Sequence, residues 1–212
     1  MNFTDGIFYV IVLIMSVVIH EVAHGYVAYR LGDDTARFQG RLTLNPLKHL
    51  DMFGSILLPL LLLLSNAGFV VGWAKPVPYN PHNLRGGKRS IVLVAIAGII
   101  ANIGIAIIFG ILIKIVSLSG LTLGDAHTLS SFYKIASSIV LVNIVLAFFN
   151  LIPIPPLDGS RVLFNLLPAG FAGIEAFLER WGMFVLLFFI IFIWQYFSPV
   201  IYFIFRILTG MN

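Results

Sequence analysis

Four apolar runs, each long enough to cross a lipid bilayer, constrain this chain more than anything else in it. They extend from Ile7 to Ala28, Ile91 to Ile113, Ile135 to Leu157 and Gly182 to Phe205, and the last three contain no Asp, Glu, Lys or Arg. A crossing takes about 20 residues in a helix. Only a helix or a closed barrel satisfies its backbone polar groups inside hydrocarbon. A fifth run, Phe53 to Ala74, is also uncharged but broken: Pro59 interrupts its apolar centre, and Ser65-Asn66-Ala67-Gly68 reads as a turn. The expected fold is an all-α integral membrane protein of about four transmembrane helices, with residues 53–74 as a re-entrant or interfacial segment. Composition agrees. Charged residues make up 10% of the 212, against about a quarter in soluble domains, which argues against a soluble enzyme and against disorder. With no cysteine, disulfide scaffolds, Cys-based metal sites and thiol nucleophiles are excluded. A metal would have to be held by His, Asp, Glu or Asn.

The few charges orient the spans. Eight of the 13 Lys and Arg lie between Arg30 and Arg89, in the loops on either side of the broken run. They form no basic helix of the kind that binds nucleic acid. The positive-inside rule puts both loops in the cytoplasm. The N-terminus, the loop near Leu118–Phe132 and the C-terminus then lie outside. A five-span count would place one of the two basic loops outside. The N-terminal run lacks a basic flank and a cleavage site, so it does not read as a signal peptide. Together these features point to a multi-pass protein of a cell membrane, with a prokaryotic plasma membrane as the expected location.

The first run carries His20, Glu21 and His24. Ionisable groups inside a span are unfavourable and usually functional. Residues four apart share a helix face, so His20 and His24 can present two imidazoles to one ion, with Glu21 beside them. This is the HExxH pattern of two zinc ligands and a general base. The competing reading is two satisfied core histidines and a Glu paired with Arg. A catalytic zinc wants a third protein ligand and an open position. His127 falls in the outer loop, and Glu175 and Glu179 lie far along the chain. Asp158 is the better candidate. It follows Asn150-Leu-Ile-Pro-Ile-Pro-Pro-Leu157 at the inner end of the third run, at the depth of the histidines, where prolines end the helix and Gly159 permits a tight turn. Alternatively, Asp158 is a turn residue or a helix cap.

His20-Glu21-x-x-His24 and Asn150-x-x-Pro153-x-x-Pro156-Leu157-Asp158-Gly159, in this order, resemble the site-2 protease family of intramembrane zinc metalloproteases. Gly72-Trp73-Ala74-Lys75-Pro76-Val77 resembles the glycine-containing loop of that family. The likeness covers roughly residues 16–165, and departs at Ala97-Gly98-Ile99, where relatives often have Pro after the Gly. It implies one zinc ion on His20, His24 and Asp158, with a membrane-spanning protein substrate cleaved near the cytoplasmic face. Asn150 would position substrate or stabilise the developing oxyanion. It also implies a three-helix catalytic core. The chain reads as a single domain, with its core at about 7–167, an extra helix at about 182–206, and no room for a PDZ or CBS domain. Gly72, Trp73, Ala74 and Lys75 are expected to meet substrate in a short β-like loop. Pro76 and Pro78 suit an edge strand from Gly72 to Tyr79, and an interfacial loop anchored by Trp73 and Tyr79 is the other reading.

Other features read as structural. Ala97, Ala101, Ala106 and Gly110 permit close helix packing, and Asn102 and Asn143 suit bonds across helices. Trp194, Tyr196 and Tyr202 suit lipid-facing or interfacial positions. Arg41 to Asp51 is a polar loop with no assigned chemistry. Two other functions use the same cluster: a non-hydrolytic ion transporter or zinc-binding membrane protein, and a structural protein stapled by a metal.

Overall fold

The computed structural model describes residues 3–65, 75–119 and 125–211. Among these residues, four helical segments are long and apolar enough to cross a membrane: Gly6–Arg30, Lys88–Ser119, Ala126–Asn150 and Ala172–Thr209. The protein is an all-α membrane protein, and no strand occurs among the described residues. The helices are α1 (Phe3–Arg30), α2 (Thr35–Phe38), α3 (Leu58–Leu64), α4 (Lys88–Ser119), α5 (Ala126–Asn150), α6 (Asp158–Leu166), α7 (Ala172–Phe188) and α8 (Ser198–Thr209).

Several boundaries differ from the sequence reading. The third helix stops at Asn150 because Pro153, Pro155 and Pro156 cannot donate the bonds that the next turns need. It starts at Ala126, where the Asp125 carboxylate accepts from the Thr128 N–H at 3.0 Å. The last crossing begins at Ala172 and is not one α-helix. A π turn at Phe189–Ile193 and a 3₁₀ turn at Trp194–Phe197 precede α8, which has Pro199 in its first turn. Proline removes one ladder bond and crowds the preceding turn, so the helix changes register there. The described part of the fifth apolar run forms a π turn at Met52–Leu57 continued by α3. At 1.5 Å per residue this reaches roughly 20 Å, short of a crossing.

Helix α4 is the central element, with α1 and α5 packed on it. Its buried face carries Val94, Ala95, Ala97, Gly98, Asn102, Ala106 and Gly110. Lipid is as apolar as leucine, so close approach and interhelical hydrogen bonds, not burial from water, hold such helices together. Small side chains permit that approach. Ala106 and Ile113 of α4 meet Ala136, Val140 and Ile144 of α5 and Ile201 of α8 in one apolar cluster. Trp194 departs from the expected lipid-facing position: its ring packs edge-on against Phe149 at 5.5 Å and lies near Phe148 and Phe197. Tyr196 and Tyr202 are exposed.

The loops at the Arg30 end of α1 are tied together by Asp33, which is fully buried. Its carboxylate accepts from the Thr35 N–H and hydroxyl, the Asn80 N–H and the Asn83 side chain. The Arg85 N–H donates to the Leu31 carbonyl. Both basic loops therefore sit at one end of the helix bundle.

Candidate metal centre

Three elements distant in sequence converge near that end. His20 and His24 lie one turn apart on α1, and Asp158 is the first residue of α6. All three are buried. His20 Nε2 and His24 Nε2 are 3.0 Å apart, and Asp158 Oδ2 is 3.0 Å from the first and 3.1 Å from the second. Asp158 is not the cap of its helix, because Leu157 holds that position. Gly159 serves close approach and not a turn. It is helical, and a Cβ there would fall 2.2 Å from the Leu151 carbonyl oxygen, so any side chain would push Asp158 away from the histidines.

The hydrogen bonds place a proton on Nδ1 of each ring. His24 Nδ1 faces the Val94 carbonyl at 2.6 Å; a carbonyl only accepts, so Nδ1 donates, and in the neutral ring Nε2 keeps its lone pair. His20 Nδ1 faces Asn102 Oδ1 at 2.5 Å. The orientation of that amide follows from its neighbours. Asn143 Nδ2 donates to the Ile139 carbonyl at 2.8 Å and to Ser16 Oγ at 2.9 Å. Its oxygen therefore faces Asn102, whose Nδ2 donates to it at 2.7 Å. The Asn102 oxygen is left for His20. With both rings neutral, two imidazole lone pairs and a carboxylate oxygen converge on one point. Such a set calls for a cation. Ligands at zinc–nitrogen and zinc–oxygen distances in a tetrahedron stand about 3.3 Å apart, close to the separations seen. The residues fit a zinc ion with three protein ligands.

Glu21 stands outside this donor set. Its Oε2 accepts from the Val77 N–H at 2.8 Å. A cavity of about 600 Å³ opens onto the cluster, lined in part by Glu21, Val77, Asn150, Arg161 and Asn165. Asn150, the last residue of α5, commits one amide hydrogen to the Leu146 carbonyl at 3.0 Å. Of the loop expected to meet substrate, Gly72, Trp73 and Ala74 lie outside the described residues. Lys75 is exposed and does not line the cavity, which is bordered instead by Pro76, Val77, Pro78 and Tyr79. Along residues 75–80 the N–H groups of Lys75, Val77 and Asn80 point inward, to His49 O, Glu21 and Asp33, while Pro76 and Pro78 have none. An added strand would find few donors in this stretch.

Asn102 was legible only as a cross-helix bond, which it makes; its second contact, to His20, needed three dimensions. Arg161, which donates to the Tyr79 hydroxyl at 2.9 Å across the cavity mouth, carried no motif at all.

Comparison with known proteins decides the family. The sequence model of peptidase family M50 matches residues 112–193, which include Asn150 to Asp158. The chain is 43% identical over 180 residues to "Putative zinc metalloprotease YwhC" of Bacillus subtilis, across 84% of this chain and 77% of that one. The chain belongs to peptidase family M50. This M50 peptidase is also 32% identical over 164 residues to "Putative zinc metalloprotease Rip2" of Mycolicibacterium smegmatis, across 74% of its own length and 57% of the relative's. No solved structure gives a significant match. The family is the site-2 protease family, and the M50 chain is a zinc metallopeptidase in a multi-pass membrane protein.

Proposed function

We propose that this M50 peptidase hydrolyses peptide bonds of transmembrane-helix substrates inside a cell membrane, near its cytoplasmic face. His20, His24 and Asp158 hold one zinc ion, and Glu21 is the general base. The observation that carries the reading is the convergence of three lone-pair donors at about 3 Å, with a carboxylate beside them that takes no part in the set and borders the same cavity.

A zinc ion bound there supplies Lewis acidity, lowering the pKa of a coordinated water and polarising a carbonyl. The rest falls to the chain. Glu21 takes the proton of the attacking water and delivers it to the departing amine. One Glu21 oxygen is held by Val77, which leaves the other for that transfer. Asn150 has a second amide hydrogen beyond the one given to Leu146, and it donates to the substrate oxygen as negative charge builds there. The donor set lies six to ten residues from the Arg30 end of α1, roughly 9 to 15 Å along the axis. The positive-inside rule assigns that end to the cytoplasm.

Glu21→Gln keeps the shape of the site and removes the base. Purified in detergent, this variant should retain one zinc per chain and lose cleavage of a membrane-helix peptide. Asp158→Ala should lose zinc. Full activity in the first variant, or full zinc occupancy in the second, would overturn the corresponding role.

A further inference from the structure

The polar loop after α2 contains a buried guanidinium that the catalytic reading leaves unused. Arg41 is 8% exposed. Its Nη2 donates to the Lys75 carbonyl at 2.8 Å and to the Pro76 carbonyl at 3.1 Å. Among the described residues no carboxylate stands at ion-pair distance from it. A buried cation held only by neutral carbonyls is an uncommon choice, because burial penalises unpaired charge. The arrangement makes sense on the far side of the peptide. The Pro76 carbonyl and the Val77 N–H belong to one planar unit, with oxygen and hydrogen pointing in opposite directions. At one end the oxygen accepts from Arg41; at the other the N–H donates to Glu21 Oε2 at 2.8 Å.

We propose that Arg41 is a positioning residue for Glu21, acting through the Pro76–Val77 peptide. The guanidinium pins the oxygen end and draws electron density toward it, and so makes the N–H a stronger donor, since hydrogen bonds in a chain polarise one another. The cation and the carboxylate balance one another across a single peptide. The neighbouring contacts keep that peptide in place. The Lys75 N–H donates to the His49 carbonyl at 2.8 Å, and the fully buried His49 is held by its Nε2 on the Thr43 carbonyl at 2.8 Å. The Val77 side chain wedges against α1, where a Cβ on Gly25 would fall 2.6 Å from its Cγ1. The loop from Arg41 to His49 is thus a brace that aims the carboxylate. The inference rests on Glu21 as the base.

The test compares Arg41→Gln, Arg41→Lys, Arg41→Gly and Glu21→Gln in detergent. Turnover is read on a quenched-fluorescence peptide bearing an apolar helix interrupted by Asn-Pro, zinc by metal analysis, and the Val77 amide by hydrogen exchange. Losing a hydrogen bond to a charged group lowers kcat roughly ten- to a hundredfold. Arg41→Gln should show that loss with zinc and KM unchanged, and its Val77 amide should exchange faster. Arg41→Lys should fall less, and added methylguanidinium should restore part of the turnover of Arg41→Gly. Unchanged kcat in Arg41→Gln, or a raised KM with kcat intact, overturns the proposal; the second result would make the brace a substrate support. If Arg41→Gln loses its zinc or fails to fold, Val77→Pro set against Val77→Ala decides by the same kcat and KM criteria, since proline deletes the same N–H and leaves the guanidinium. Full turnover in Glu21→Gln would sink the base assignment, whereas loss there with intact Arg41→Gln would sink only the positioning role.

Discussion

At the scale of single residues, the proposed centre depends on atoms outside the donor set. Asn102 holds His20 in the tautomer that offers Nε2, and Asn143 holds Asn102 in turn. Partners of this kind typically account for ten- to a hundredfold in metal affinity. Asn102→Leu should weaken zinc binding by about that factor, measured by competition with a chelator, while the helices still form. Gly98 makes a sharper case. A Cβ there would fall 2.5 Å from the His20 ring. Replacing a helical glycine by alanine ordinarily favours the helix, and Gly104→Ala, with open space around it, should be tolerated. Gly98→Ala should displace His20 and lose zinc. Equal zinc content in the two variants would contradict this packing. The departure from the family pattern at Ala97-Gly98-Ile99 thus leaves intact the one glycine that His20 needs.

At the scale of elements, the apolar runs and the HExxH spacing were readable from sequence because each is local. Four crossings follow from hydrophobic length, and a shared face for His20 and His24 follows from the helical repeat. The breaks were read less well. Pro199 signals an interruption, but whether the helix kinks or shifts into a π turn depends on how Trp194 and Phe197 pack against α5. Arg41 gave no sign of its partners, since its contacts with residues 75 and 76 cross a long interval of chain. Asp33 is similar: nothing local marks it as the tie between two loops. Burial works against its charged form, but donors from Thr35, Asn83 and Asn80 outweigh that and hold its pKa below the ordinary 3.8. A carboxylate with a depressed folded pKa stabilises above its unfolded value and loses that contribution as pH falls through the folded one. The loops should therefore loosen only below about pH 4. Asp33→Asn should remove this acid limb, as followed by thermal melting in detergent between pH 3 and 7. An unchanged acid limb would assign it to other groups.

At the scale of the whole molecule, both basic loops lie at one end of the bundle, with the donor set a few turns inside it. The absence of cysteine makes the orientation easy to measure. His82→Cys, in the loop before α4, should react with a membrane-impermeant maleimide only after permeabilisation. His127→Cys, near the start of α5, should react in intact cells. The reverse pattern would invert the protein and move the site to the outer face. The donor set has a further consequence for the architecture. His20 and Asp158 are 138 residues apart in sequence, so an ion shared between them closes most of the chain into a ring. Among the described residues α1 and α6 are otherwise joined chiefly through α4 and α5, on which α1 also packs, and the ion would act as a removable rivet between them. Stripping it with a chelator would then remove more than catalysis: the direct tie between α1 and α6 would be lost, and the protein would meet heat as a looser body than its zinc-loaded form.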